Sequence, residues 1–263
     1  MFTGVLNKMR SEISDSVTYF LDMNNEFLIS NSILNKHLTI DFKGFSCLSC
    51  NSDQEIFRQG HCKKCFFESP STAEWIIRPE LSKAHLGIQD RDLDYEKKIQ
   101  LQPHSIYLSF TSDVKVGVTR KSQVPTRWID QGAIEAIEIA ELPNRYFAGI
   151  CEMELKKYFK DKTNWRTMLT TNKSNIDLLS KKNECYSILP EEAKNYFLSK
   201  SKTLKINYPI SNGIITPKSL NIKKMKTFSG KLIGIKGQYL IFEDSTVFNV
   251  RSNEGLVVNI KID

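Results

Sequence analysis

Four cysteines between residues 44 and 66 constrain this chain more than any other feature of its sequence. Cys47 and Cys50 form one pair and Cys62 and Cys65 form another, so the spacing is C-x2-C-x11-C-x2-C. Two intervening residues let both thiolates of a turn face one ion, and two such turns complete a tetrahedral site. Because protein fills all four positions, the sequence predicts a structural zinc and not a catalytic one.

Two other interpretations of this segment stay open. Four cysteines can serve as small apolar side chains, and His61, beside Cys62, can compete as a ligand. Gly44 and Gly60 precede the pairs, where a tight backbone turn toward a metal favours glycine. Structural zinc supplies roughly 10–16 kcal/mol to a small fold, so loss of one ligand should unfold residues 44–66.

The composition is that of an ordinary globular protein. The 263 residues suffice for one full core or for two or three small modules. Six cysteines, four of them in one group, argue against a disulfide scaffold, and we expect a reducing, cytoplasmic compartment. The apolar runs are too short for a membrane span, and the opening residues are too polar for a signal peptide. A net charge of +7 and a pI of about 9.0 point toward polyanionic partners, while the short apolar runs argue against a membrane.

The centre of the chain, residues 104–132, predicts two strands and a helix. Residues 105–110 form a short apolar run, and residues 111–113 form a polar break. Residues 114–118 then alternate valine with polar residues or glycine, which predicts the second strand of an antiparallel hairpin. A helix should follow from about residue 124 and stop at Gly132.

This order of elements should bring Tyr107, Lys115 and Arg127 close together. Pro125 suits the first turn of a helix because its φ is fixed, which places Arg127 in the opening turn. Each residue also has an ordinary interpretation, since a tyrosine on a strand commonly packs in a core and an arginine on an early turn commonly lies at the surface.

The two ends of the chain are rich in β patterns and resemble each other. FTGVL at residues 2–6 is echoed by FSGKL at 228–232, and HLTIDF at 37–42 by VVNIKI at 257–262. Breaks fall at Asn24–Asn25 and in a polar stretch before His37. The echoes fit either an internal duplication or chance likeness between β hairpins. Isolated hairpins are not stable, so both ends should pack on each other or on the middle.

The remaining segments are less regular. Residues 90–98 are highly charged and predict a solvated connection. Residues 133–142 fit a strand or a helix, and their β-branched content favours a third strand. Residues 145–160 predict a helix with one apolar face. Residues 190–200 predict a short helix that begins at a proline.

Positive charge is concentrated in two stretches. Residues 156–182 hold eight Lys or Arg and two Asp, and residues 218–236 hold six lysines and no acid. The second stretch overlaps residues 208–226, whose Pro209, Gly213 and Pro217 predict an ordered linker. Both stretches are expected to follow a phosphate backbone on the side of the Tyr107 and Arg127 cluster.

The central residues resemble the GIY-YIG nuclease domain. The resemblance is carried by IYL at 106–108, VKVGVTR at 114–120, Arg127 in the next helix and Glu152 in the one after it, and it covers roughly residues 104–166. One departure is Lys115, which stands where the second signature triplet usually has tyrosine. The four-cysteine module, DKTNWRTML at 161–169 and GIKGQYLIF at 234–242 also resemble a bacterial family of uncharacterised function.

The resemblance implies a site that hydrolyses phosphodiester bonds. It assigns Tyr107 as base, Arg127 as phosphate ligand, Glu152 as ligand of Mg²⁺ or Mn²⁺, and Asn164 as the asparagine that follows. Lys115 or the metal would lower the pKa of the tyrosine. His104 can act as a proton shuttle or be a satisfied structural histidine, and Glu152 can equally be one more solvated carboxylate.

Three classes of function fit these observations. The first is a metal-dependent endonuclease acting on DNA or RNA, and the second is a catalytically silent zinc-containing module that binds nucleic acid. The third is a zinc-stapled interaction protein. The predicted fold is α+β, with a central three-stranded GIY-YIG-like sheet and helices. Its expected parts are a β unit (1–43), a four-cysteine zinc module (44–70), a GIY-YIG-like domain (100–170), a helical and linker region (171–226) and a second β unit (227–263).

Overall fold

A computed structural model describes residues 1–23, 26–211 and 216–263. They form two compact units, one made of Met1–Glu68 with Asn207–Asp263 and the other of Ser69–Ile206. The predicted break at Asn24–Asn25 and Gly213 of the predicted linker lie outside the described residues. Within these ranges, no helix has the length and apolar character needed to cross a bilayer.

The secondary structure confirms a mixed α+β protein with one large sheet and several helices. The first part of the chain contains β1 (Phe2–Val5), β2 (Arg10–Glu12), β3 (Thr18–Met23), β4 (Glu26–Ile29), β5 (His37–Phe45), β6 (Ile56–Arg58), β7 (His61–Cys62) and α1 (Lys63–Glu68). The middle contains α2 (Leu93–Gln100), β8 (His104–Phe110), β9 (Val114–Arg120), α3 (Thr126–Asp130), β10 (Glu135–Leu142), α4 (Arg145–Leu155), α5 (Trp165–Thr170), α6 (Leu178–Ile188), α7 (Glu191–Lys194) and β11 (Leu204–Lys205). The last part contains β12 (Lys218–Ser219), α8 (Ile222–Met225), β13 (Thr227–Lys236), β14 (Tyr239–Phe242), β15 (Thr246–Asn249) and β16 (Leu256–Ile262).

Both ends of the chain contribute strands to one seven-stranded sheet. Its order is β1-β16-β5-β13-β14-β15-β12, while β2, β3 and β4 form a separate three-stranded sheet. The central pair, β5 and β16, comes from opposite ends of the sequence and is antiparallel. The terminal segments therefore pack on each other, as expected, and belong to one compact unit.

The register of this sheet follows the sequence echo between the two ends. Phe2 of β1 pairs with Ile260 of β16, and its counterpart Phe228 of β13 pairs with Ile40 of β5. At the centre, Ile40 pairs with Ile260, so exchanging the two halves maps the pairing onto itself. The FTGVL strand of each half thus pairs with the closing strand of the other half. This pairing has the symmetry expected of a duplication with exchanged closing strands.

The second unit is built on the four-stranded sheet β11-β10-β8-β9. The predicted hairpin is confirmed as β8 and β9, with Tyr107 opposite Gly117 and Ser109 opposite Lys115. The predicted third strand is confirmed as β10. A bulge between Glu138 and Ala140 interrupts its pairing with β8, which explains why its sequence lacks a clean two-residue alternation.

Helices α3 and α4 are shorter than predicted. Helix α3 begins at Thr126, directly after Pro125, and ends at Asp130. Helix α4 begins after Asn144, whose side chain accepts the N–H of Phe147, and ends at Leu155, where the sequence predicted a helix to residue 160. The chain must leave the helix there because Lys160 joins the edge of the sheet, where its carbonyl accepts the N–H of Val116.

Residues 90–98 are not a solvated connection, since most of them belong to α2. The side chain of Asp92 accepts the N–H of Tyr95 and begins this helix. Glu96 is buried, and its carboxylate accepts the backbone N–H groups of Asp90, Arg91 and Asp92. A charged residue that satisfies three buried donors is structural, and charge counting alone does not identify it.

Candidate functional site

The four predicted ligand cysteines lie together in the first unit. One ligand atom from each, the four Sγ atoms of Cys47, Cys50, Cys62 and Cys65, all lie within 4.8 Å of one another. The sulfurs of Cys50 and Cys62 are 3.9 Å apart. Tetrahedral Zn–S bonds of about 2.3 Å place sulfurs about 3.8 Å apart. The donor set and its spacing fit a structural metal such as zinc.

Local backbone hydrogen bonds position the two cysteine pairs. The N–H of Cys47 donates to Ser52 across the first turn, and the N–H of Cys62 points at the Cys47 sulfur, 3.3 Å away. Gly60 precedes the second pair at a φ of +75°, where L side chains are strained. A Cβ at Gly60 would also lie 2.4 Å from Cδ1 of Leu48, so glycine is required there for two reasons.

Hydrogen bonds separate the pKa values of the thiols. The hydrogen bond between Cys50 and Ser52 lowers the pKa of Cys50 to about 6, while the hydrogen bond with Cys50 raises the pKa of Cys65 to about 12. A cation at the centre would let all four ionise, since a bound metal deprotonates its thiols. Nδ1 of His61 lies 2.6 Å from the carbonyl of Gln59, so that nitrogen is engaged by the backbone.

The second candidate site lies in the second unit, where four elements each contribute one polar side chain. They are Tyr107 of β8, Lys115 of β9, Arg127 of α3 and Glu152 of α4. Tyr107, Lys115 and Glu152 are all buried. Burial raises the pKa of Tyr107, the charge of Arg127 opposes that shift, and the charge of Glu152 adds to it. The four groups are therefore close enough to interact electrostatically.

Tyr107 is fixed by its cross-strand partner. Its ring lies over Gly117, where a Cβ would come within 2.6 Å of the phenolic oxygen. The hydroxyl donates a hydrogen bond of 3.0 Å to Oε1 of Gln131. Trp128 packs beside the ring, with the two ring centroids 5.8 Å apart. Any residue larger than glycine at position 117 would displace the tyrosine from this place.

Lys115 and Glu152 are the charged members that burial perturbs most directly. Burial and the nearby charge of Arg127 lower the pKa of Lys115 to about 8, against the attraction of Asp161 and Glu152. Burial raises the pKa of Glu152, against the attraction of Lys156 and Arg145. Lys115 therefore loses its proton at a pH not far above neutral.

Among the residues that the structure describes, no hydrogen bond or ion pair joins His104 or Asn164 to this cluster. His104 lies three residues before Tyr107, and an odd separation places side chains on opposite faces of a regular strand. Its Nδ1 lies 2.7 Å from the carbonyl of Gln102, and burial lowers its pKa to about 4. Asn164 is exposed and begins α5, because its Oδ1 accepts the N–H groups of Arg166 and Thr167. The backbone hydrogen bonds of both residues indicate that they hold the local chain in place.

Three residues of this neighbourhood were not found from the sequence. Gln131 accepts the hydrogen bond of the Tyr107 hydroxyl, and Asp161 is the acid that attracts Lys115 from the loop after α4. Arg145 is buried at the start of α4 and donates to the carbonyls of Trp75 and Ile76. No spacing rule marks these residues. The signal that could have drawn attention to Asp161 is its position as a single acid between Lys160 and Lys162.

The loop after α4 forms a basic depression of about 390 Å³ beside the sheet edge. It is lined by residues 156–162. Three of its lysines are paired with acids: Lys156 with Glu152, Lys157 with Glu154 and Lys160 with Asp113. Lys162 and Tyr158 are exposed.

Some lysines of the two predicted basic stretches are buried. Lys182 is buried and donates to the carbonyl of Leu198, and Lys236 is buried over the ring of Tyr208. The stretch at 156–182 belongs to the second unit and the stretch at 218–236 to the first. Their expected alignment along one phosphate backbone stays a prediction.

Comparison with known proteins places the chain by family only. A family model described as "Protein of unknown function (DUF2797)" matches residues 35–258. No curated protein and no solved structure matches the chain.

We expect one zinc per chain, bound by the four clustered cysteines. Cys47→Ala should lose the metal and unfold the module around residues 44–66, because the ion supplies most of its stability. Elemental analysis of purified protein and of this variant measures the effect. Cys151→Ala is the control, since Cys151 is buried outside the cluster and should keep a full equivalent of zinc. Metal-free wild-type protein with four freely reactive thiols would contradict the assignment.

Proposed function

The chain belongs to this family of unknown function, and we propose that residues 104–166 act as a metal-dependent endonuclease of the GIY-YIG type. The substrate is DNA or RNA, and the reaction is hydrolysis of a phosphodiester bond. The observation that carries the proposal is the convergence of Tyr107, Lys115, Arg127 and Glu152 from four different elements. Folding alone does not require these four polar side chains, at the spacing of the GIY-YIG family, to meet at one buried site.

The strand and helix order supports the same interpretation. A hairpin carries Tyr107 and Lys115, the next helix carries Arg127, and a further strand leads to the helix that carries Glu152. Gly117 of the second triplet is the residue over which the tyrosine ring lies. The ring of Tyr107 therefore requires a glycine at position 117 for steric reasons, independently of the resemblance.

Each residue has a chemical role in the proposed reaction. Glu152 would hold Mg²⁺ or Mn²⁺, which when bound polarises the phosphate and neutralises developing negative charge. The Arg127 guanidinium would donate to phosphate oxygens as a fork. Tyr107 is held as a hydrogen-bond donor, because its pKa is raised by burial. Lys115, whose pKa is about 8, is better suited to accept the proton of the attacking water.

Zinc in the four-cysteine module would be structural in this proposal. All four positions of a tetrahedral site are taken by sulfur, so no position stays open for water or substrate. The module would stabilise the first unit, and the hydrolytic chemistry would stay in the second.

Removing Arg127 or Glu152 should abolish most of the activity. Arg127→Ala should lower the rate by about 10²–10³, the usual cost of losing one donor that is organised for the transition state. Glu152→Ala should remove metal-dependent turnover. The assay is cleavage of end-labelled single-stranded and duplex DNA and RNA by zinc-loaded protein, with and without Mg²⁺ or Mn²⁺.

Two exposed residues give matched controls for this experiment. Glu154 lies on the same helix as Glu152 but is paired with Lys157 at the surface, and Arg166 stacks on Trp165. Glu154→Ala and Arg166→Ala should cleave like the wild type. Equal activity in all four variants, or none in the wild type on every substrate, would sink the nuclease proposal.

The rate should depend on pH through Lys115. Burial lowers its pKa to about 8, so the neutral amine becomes available as pH rises. We expect the rate to climb about tenfold per pH unit below that value and to level off above it. Lys115→Arg should lose this inflection along with most of the rate, since arginine stays protonated. A wild-type rate that falls as pH rises through 8 would instead indicate that the charged lysine is the active form.

A silent nucleic-acid-binding module is the second candidate function, and the surface of the cysteine module favours it. Phe57, Phe66 and Phe67 pack against one another, and the first and last of them are 42% and 57% exposed. Arg58 lies over the ring of Phe57. Exposed aromatic faces beside cations are a surface on which single-stranded bases stack. This candidate is distinguished from the enzyme by salt-sensitive binding without cleavage in the same assay.

A further inference from the structure

A short segment before the sheet of the second unit lies directly against α4. Residues Pro79–Leu81 form a single turn of 3-10 helix, and Gly149 of α4 faces it. A Cβ at Gly149 would lie 2.3 Å from the backbone nitrogen of Glu80. Only glycine allows this approach. The contact fixes Glu80 beside the face of α4 on which Glu152 lies, three residues further along the helix.

Glu80 and Glu152 have in common a buried carboxylate oxygen that lacks a hydrogen bond. Among the residues that the structure describes, Oε2 of each has no hydrogen-bond partner. The side chain of Glu152 is only 9% exposed and that of Glu80 15%. A buried carboxylate oxygen without a hydrogen-bond donor is costly unless a positive charge lies beside it.

The cations around this pair compensate for it only in part. Arg145 is committed to the carbonyls of Trp75 and Ile76. Lys156 forms an ion pair with Oε2 of Glu152 at 3.1 Å, and its side chain is 29% exposed. Arg78 binds the other oxygen of Glu80 from a largely exposed position. Oε2 of Glu80 therefore lacks a hydrogen bond, and Oε2 of Glu152 has only the ammonium of Lys156 beside it, so a divalent cation would supply positive charge to both oxygens.

We infer that Glu80 is the second protein ligand of the divalent cation that Glu152 binds. The inference rests on the proposed function only for the presence of that cation. Mg²⁺ is commonly held by one or two carboxylates and keeps several waters, and Mn²⁺ accepts the same oxygen ligands. Gly149 gives the pair its spacing, and a divalent ion satisfies both oxygens at once. Sequence spacing could not reveal Glu80, because 71 residues lie between it and Glu152.

The test is Mn²⁺ binding to the full zinc-loaded chain, measured by isothermal titration calorimetry and by electron paramagnetic resonance of free Mn²⁺. Glu80→Gln keeps the acceptor for Arg78 and removes the charge. It should weaken Mn²⁺ at least about tenfold, since even residues that only orient a metal ligand typically cost 10–100-fold in affinity. Mn²⁺ should raise the melting temperature of the wild type, and this shift should shrink in Glu80→Gln.

Glu74→Gln is the matched control, because Glu74 pairs with the same arginine as Glu80 but is exposed. It should bind Mn²⁺ like the wild type. Unchanged affinity in Glu80→Gln, or equal losses in both variants, would overturn the inference. The outcome is separate from the nuclease proposal: wild-type protein that binds Mn²⁺ through Glu80 but cleaves nothing would sustain the site and reject the enzyme. Cleavage that needs Glu152 while Glu80→Gln binds normally would reject only the second ligand.

Discussion

The candidate site depends on the contact between Tyr107 and Gly117. The tyrosine ring crosses the neighbouring strand where that strand has no side chain, and its hydroxyl reaches Gln131. Lys115 lies two residues from that glycine on the same face of the strand, so it is carried to the same place. Helix α4 brings Glu152 close enough to interact with Tyr107 and Lys115 electrostatically. The absence of a side chain at Gly117 thus determines where the tyrosine lies, and the helices bring the other groups to it.

Local pattern predicted the central hairpin well and the rest of the second unit less well. Alternating valines identified β9, while the bulge in β10 removed the alternation that would have made it unambiguous. Helix α6 has no clear apolar face because one of its buried residues is Lys182, so its sequence gave no signal. The end of α4 could not be located, since it is set by pairing of Lys160 with β9 and not by a capping residue.

The sequence predicted part of the cluster but not its environment. The order of elements indicated that Tyr107, Lys115 and Arg127 meet, and the family resemblance added Glu152.

The same resemblance and the sequence also suggested Asn164 and His104, which make other contacts, and the structure adds that the meeting point is buried. Burial, which sequence does not report, turns Lys115 into a group that titrates near neutral pH. At the chain ends the echo between halves was visible, but the exchange of closing strands was not, because it depends on long-range pairing.

We propose that Glu152 stays charged in a buried place because it binds a metal, and that its burial lowers stability. Burial raises its pKa, so this loss of stability grows as pH rises above 4.5, the ordinary pKa of glutamate. The most direct measurement is the melting temperature of Glu152→Gln near pH 8, with Glu154→Gln as control. All three tryptophans, at positions 75, 128 and 165, lie in the second unit, so their fluorescence reports its unfolding. The account predicts a variant that melts higher than the wild type and has no metal-dependent turnover. A variant that melts lower and keeps its turnover would contradict it.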